Sequence, residues 1–200
     1  MVWKTFMKYM ICCKELEMIY LLRHGQTDWN KIHRLQGITD IPLNDTGRQM
    51  ALDAHKLYKN ISFSCCYCSP LNRAKETARL FLGQRNTPII IDEHFKEMCF
   101  GPFEGDEGIY DNEKHPLYPL FFSPEAYVPS DGVESFESLM KRGAEGIEEI
   151  LKKHDVSKEN ILIVGHGAIF AGVISYYKKI PLKDFWTALL KNCELYELEV

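Results

Sequence analysis

Apolar residues along this chain come in two rhythms. Apolar runs of strand length occur at about 18–22, 88–92 and 160–164; they read as buried strands, each too short for a buried helix. Residues 64–68, between two helical patterns, are also strand-like. Elsewhere the period is helical. Thr46 is the expected N-cap of a helix running to about Tyr58, with Met50, Leu52, Ala54 and Leu57 as its apolar positions. Ser69 and Pro70 open the next helix as cap and first helical residue. A long helix is predicted over 134–154 on a stripe of Phe136, Leu139, Ile147, Ile150 and Leu151, and another over 167–177. Residues 192–200 alternate in the manner of an edge strand.

The first 17 residues stand apart. Trp3, Phe6, Met7, Met10 and Ile11 recur at helical spacing, with Lys4, Lys8 and Lys14 around the rest of the wheel. Lys4 and Lys8 break up any signal-peptide core. An extra packing helix or an upstream start fits this segment better than a short peripheral membrane helix, and Met18 is a natural first residue for the domain.

Two of the strand-like runs end in the same chemistry. The first leads into Arg23-His24-Gly25, the second into Gly165-His166-Gly167. Ligands in open α/β sheets bind beyond the carboxyl ends of the strands. If these two strands are parallel neighbours, both imidazoles face one pocket. An imidazole there can be nucleophile, base or metal ligand. Arg23 offers a planar fork of donors to phosphate oxygens, and Gly25 is expected to let a tetrahedral group approach the backbone. Arg-His alone is equally consistent with a surface turn; the repetition makes a constellation. Arg73 adds to it, because a cation in a helix's first turn opposes the helix dipole and suits an anion held there.

The stretch Arg23-His24-Gly25-Gln26-Thr27-Asp28-Trp29-Asn30 resembles the signature of the histidine phosphatase superfamily, in its phosphoglycerate-mutase-like branch. The resemblance extends over about 18–200. It implies an α/β fold of three layers, with a mostly parallel central sheet and helices on both faces. It implies a phosphohistidine mechanism with His24 as nucleophile and Arg23, Arg73 and His166 as the phosphate clamp. Glu97, in Glu97-Met98-Cys99-Phe100-Gly101-Pro102-Phe103-Glu104-Gly105, is implied as proton donor, with Glu104 as a loop anchor. Asn30, Thr27, Gln36, Gly37 and Gly167 are implied near the phosphate oxygens. No metal or cofactor is implied.

Composition narrows the partners. The net charge of -4 argues against nucleic acid or an anionic membrane as the main partner. Two hundred residues suit one domain. Seven cysteines, an odd number without a secretory signal, read as reduced thiols in a cytoplasm. Cys65, Cys66 and Cys68 lack a second Cys/His pair of zinc spacing, so buried thiols are the better reading.

The expected function is hydrolysis of small phosphate monoesters. A phosphoglycerate mutase shares the chemistry, but the basic middle segments of longer mutases are not found. A non-catalytic phosphate-binding module is the remote alternative. A homodimer is left open. Residues 104–134 suit a lid, with Pro116, Pro119, Pro124 and Pro129 among many aromatics. Its acidic residues, if they cover the pocket, are expected to disfavour a second anionic group on the substrate.

Overall fold

A computed structural model describes residues 18–130 and 132–200. The amphipathic reading of residues 1–17 lies outside the described residues. Five strands form one sheet in the order β3-β2-β4-β1-β5. They are β1 (Met18–Arg23), β2 (Cys65–Cys68), β3 (Ile89–Ile91), β4 (Ile161–Gly165) and β5 (Leu195–Glu199). All neighbours pair parallel except β5, which runs antiparallel to β1.

Successive strand residues face opposite sides, so each run of buried apolar residues feeds two cores. Ile19, Leu21, Tyr67, Ile161 and Ile163 join one core. There they pack with α5 (Phe136–Lys153) and α6 (Gly167–Lys178). Leu22, Cys66, Cys68, Leu162 and Val164 join the other. They meet α2 (Asp45–Leu57) and α3 (Asn72–Leu82). This is the expected three-layer α/β architecture. Two short helices complete it: α1 (Asp28–Lys31), beside the site, and α4 (Tyr118–Phe122), within the segment read as a lid. That segment is not a loose flap, because Ile109, Leu117 and Leu120 are fully buried in the larger core.

Three local expectations fail for physical reasons. The run at 88–92 is not buried: Ile89, Ile90 and Ile91 are 37%, 41% and 50% exposed. It is the edge strand, with a neighbour on one side only. Asn44, rather than Thr46, caps α2, its side chain accepting from Gly47 N at 2.8 Å. Leu52 and Leu57 consequently face solvent, and Gly47, Ala51 and Ala54 form the packed face. Ser69 and Pro70 precede α3, which starts at Asn72; Asn72 N is capped from a distance by Asp40 Oδ1 at 2.8 Å.

Candidate active site

Strands β1 and β4 pair with Arg23 opposite Gly165, so His24 and His166 leave adjacent strand ends. His24 N continues the ladder to Gly165 O at 3.0 Å. The two rings lie 5.0 Å apart. From β2, Ser69 reaches the same end of the sheet through Ser69 N to Val164 O at 2.9 Å. Arg73 follows one helical turn later and is fully buried. His24, Arg73 and His166 therefore come together from three consecutive strand ends.

The nitrogen atoms of these residues are differently committed. His24 Nδ1 donates to its neighbour's carbonyl, Gly25 O, at 2.7 Å, leaving Nε2 with a lone pair and no protein partner. His166 accepts from Arg73 Nε at Nδ1, 3.2 Å, and meets Ser69 Oγ at Nε2, 2.7 Å. Burial, then the charges of Arg73 and Arg23, pushes His24 well below the usual histidine range. Burial and Arg73 do the same to His166, and His24 adds to the effect. Both rings are thus neutral at physiological pH.

Cations surround them. Arg73 Nη1 and Nη2 donate to Thr39 O and Gly37 O at 2.8 and 2.6 Å. One N–H remains on each terminal nitrogen for a further acceptor. Burial lowers its guanidinium to about 10, still cationic at neutral pH. Arg23 donates from Nη1 to Leu190 O at 2.5 Å, while its buried Nε has no partner. Asn30 and Thr27 form the capping box of α1 and both donate to Gln36 Oε1, at 3.0 and 2.7 Å. That fixes the Gln36 carboxamide and leaves its buried Nε2 unpartnered. A buried N–H without an acceptor costs on the order of 1–3 kcal/mol. Two of them, on residues that line one cleft, suit an anionic ligand.

Glu97 is 7% exposed. Its Oε1 accepts from Met98 N and Ile169 N at 2.9 and 3.1 Å, and Oε2 from Ala168 N at 3.2 Å. The carboxylate therefore sits on the N-terminus of α6, which favours negative charge. Glu104 is occupied differently: it accepts from Ile38 N, Thr39 N and Phe100 N, and from the Thr39 hydroxyl. It ties loop 37–39 to the Glu97 segment.

A cleft of about 250 Å³ opens beside these groups, lined by Arg23, Asn30, Gln36, Glu97 and Gly167. Its outer wall is Phe100, Tyr110, Phe121, Phe122 and Trp186, with Arg34 among them. His24, Arg73 and His166 are buried and are not among the lining residues, although His24 directly follows Arg23 and His166 directly precedes Gly167 in the chain. Thr27 and Gly37 do not line the cleft; they hold Gln36 and Arg73 in place.

Among the described residues no group of three or more His, Cys, Asp or Glu side chains is arranged to hold a metal. Cys66 and Cys68 face the core opposite the one that takes Cys65. Burial raises Cys65 and Cys68 to about 11 and 12.

A family model described as the histidine phosphatase superfamily (branch 1) matches residues 19–200. The chain belongs to that superfamily. The phosphatase chain is 34% identical over 157 residues to an uncharacterised phosphatase, PhoE, of Bacillus subtilis, covering 78% of this chain and 75% of that one. It is also 34% identical to a metal-independent phosphoserine phosphatase of Arabidopsis thaliana, over 80% of this chain and 68% of the relative. Among solved structures, YhfR of Bacillus stearothermophilus superposes with a TM-score of 0.84 at 31% identity, covering 92% and 91% of the two chains. Among the described residues of the phosphatase, no helix is long and apolar enough to cross a membrane.

Two expectations about this site change. Gly25 serves helix packing: a Cβ there would lie 2.4 Å from Gly47 O, the start of α2. The described acidic residues of 104–134 do not line the cleft. Asp106 pairs with His115, Glu107 with Arg34 and Glu134 with Arg142, while Asp131 lies outside the described residues. Sequence reading also missed Ser69 as the partner of His166, and Thr77, whose hydroxyl donates to Arg73 O and accepts from Gly25 N. Ser69-Pro70 looks like any helix cap, and its pairing across 97 residues leaves no local signal.

Proposed function

We propose that the protein hydrolyses small phosphate monoesters through a phosphohistidine formed on His24. The carrying observation is the committed tautomer of His24, which leaves Nε2 open, together with the unpartnered Arg23 Nε and Gln36 Nε2.

The steps follow from what phosphoryl transfer requires. Charge spreads over the equatorial oxygens, so catalysis is mostly positioning and electrostatics. Arg23, the spare N–H groups of Arg73, and the amides of Asn30 and Gln36 hold those oxygens, while His166 orients Arg73. His24 Nε2 attacks phosphorus; the P–N bond forms as the P–O ester bond breaks. Glu97 relays a proton brought in by the monoester's phosphate to the departing ester oxygen, releasing the alcohol and returning to the carboxylate that its N–H partners favour. Water then attacks phosphorus, Glu97 takes its proton, the P–N bond breaks and inorganic phosphate leaves.

The cleft also speaks to the leaving group. Among the described residues, the only lining cation apart from Arg23 is Arg34, which is already paired with Glu107. Phe121 stands within ring contact of Tyr110 and Trp186, at 5.0 and 5.1 Å. A monoester with an apolar or ring-shaped remainder fits this wall. Return transfer to a phosphoglycerate needs cations that the wall does not supply, which favours the phosphatase over the mutase.

The test is a phosphate-release screen of purified protein over aryl, nucleoside-like and amino-acid monophosphates and 3-phosphoglycerate, with and without 2,3-bisphosphoglycerate. Release from monoesters without the bisphosphate supports the proposal. Efficient interconversion of 2- and 3-phosphoglycerate contradicts it.

A further inference from the structure

Glu97 sits in an irregular segment, 96–100, between a 3₁₀ turn over Glu93–Phe95 and another over Gly101–Phe103. Such a segment has no ladder to fix it, so its backbone groups must find partners elsewhere. Met98 N and Phe100 N turn to the Glu97 and Glu104 carboxylates, and two carbonyls at and just before the start of the segment share one side chain. Arg142, on α5, donates from Nη1 to both His94 O and Lys96 O at 2.8 Å. The second of these is the carbonyl of the peptide that leads into Glu97. The other side of the guanidinium forms a two-point pair with Glu134, Nε to Oε1 at 3.0 Å and Nη2 to Oε2 at 2.9 Å. Glu134 in turn grips the far side of Glu97, its backbone N donating to Cys99 O at 2.8 Å.

The placement is built into α5. Gly146, one turn beyond Arg142, lies so close to the Glu93–Phe95 turn that a Cβ would meet His94 Cβ at 2.7 Å. That contact brings the helix down and sets Arg142 over the carbonyls. The pair is mostly shielded, with side chains 23% and 13% exposed. A second cleft, lined in part by Lys96, Cys99, Glu134 and Arg142, also includes Glu97 in its lining.

We infer that Arg142 and Glu134 are positioning residues for the reaction, holding the Glu97 carboxyl at the angle from which it serves the leaving oxygen. This rests on Glu97 being the proton donor. An Arg fork bonded at two carbonyls and one carboxylate cannot be reproduced by lysine, which keeps the charge but not the geometry. Arg142→Lys therefore separates positioning from the charge that Arg142 also projects toward His166.

The experiment compares Arg142→Lys, Glu134→Gln, Glu97→Gln and the double variant Glu97→Gln/Arg142→Lys on alkyl phosphates and on p-nitrophenyl phosphate. The inference predicts that Arg142→Lys loses about tenfold or more in kcat on alkyl phosphates and less than about threefold on p-nitrophenyl phosphate, whose leaving oxygen needs little protonation. In the Glu97→Gln background, Arg142→Lys should cost almost nothing further, since the two act as a unit. Glu134→Gln should repeat the pattern more weakly, and it serves if the arginine variant does not fold. Equal losses on both substrates, or losses that add to those of Glu97→Gln, overturn the inference. A Glu97→Gln enzyme without leaving-group dependence would instead remove the proton-donor reading beneath it.

Discussion

His24 and His166 face each other with ring centroids 5.0 Å apart, yet their nitrogens are committed in opposite ways. His166 has both engaged, by Arg73 and Ser69, while His24 keeps Nε2 open. One ring is thus equipped to attack and the other to shape the site. Buried beside Arg23 and Arg73, both rings are held neutral.

A pH prediction follows with a definite sign. Because the folded enzyme holds His24 well below the usual histidine value of about 6.5, the nucleophile stays neutral in mild acid. The acid limb of kcat/KM attributable to His24 should therefore lie below pH 6.5. Stability moves the other way: the unfolded chain binds protons at these histidines that the folded chain does not. Their contribution is intact above about pH 6.5 and is lost progressively as pH falls toward the depressed folded values. Thermal unfolding scans between pH 7.5 and 5 should show Tm falling with pH, and a flat profile would contradict the assignment.

Glu97 carries a prediction of size. Glu97→Gln should lower kcat on alkyl phosphates by roughly 10²- to 10⁴-fold, the usual contribution of a general acid. Steady-state assays of Glu104→Gln alongside it should show a smaller chemical effect and a larger loss of Tm. Glu104 is bonded to Ile38, Thr39 and Phe100 rather than to the helix that carries Gly167.

Ser69→Ala tests a residue that reads as an ordinary cap. Removing the partner of His166 Nε2 costs a hydrogen bond of about 1 kcal/mol, or about five- to tenfold in kcat/KM. Helix content by circular dichroism should hardly change, because Asp40 caps α3.

Phe121→Ala should erode substrate choice. Losing one ring contact with an aryl substrate, worth about 0.5–1.5 kcal/mol, should cut kcat/KM for an aryl monophosphate by about two- to tenfold, with Tyr110 and Trp186 losing their shared neighbour. Turnover of a small alkyl phosphate should change less, as parallel kcat/KM measurements would reveal.

Much of this architecture was legible because its signals are local. The apolar runs before Arg23 and Gly165 announce strands, and the strand period splits their residues between two cores. The fate of Ile89–Ile91 was not legible, since three isoleucines look the same in a central strand as at an edge. Asn44 and Asp40 are residue types common in turns, and only the fold turns them into caps, Asp40 across 32 residues. At the site, the His24, Arg73 and His166 cluster follows from which strands are neighbours. The Ser69 bond, the Arg142 fork and the inward aromatics depend on tertiary approach, which no short stretch encodes. Charge in the lid misled for the same reason: Glu107 and Glu134 are spent on Arg34 and Arg142.

The covalent role of His24 is tested most directly by rapid-quench trapping during turnover of a ³²P-labelled monoester, followed by peptide mapping. The account predicts one labelled site, at His24, acid-labile and alkali-stable as a phosphoramidate should be, and no label or turnover in His24→Ala. Turnover persisting in His24→Ala, or label on any other residue, would contradict it.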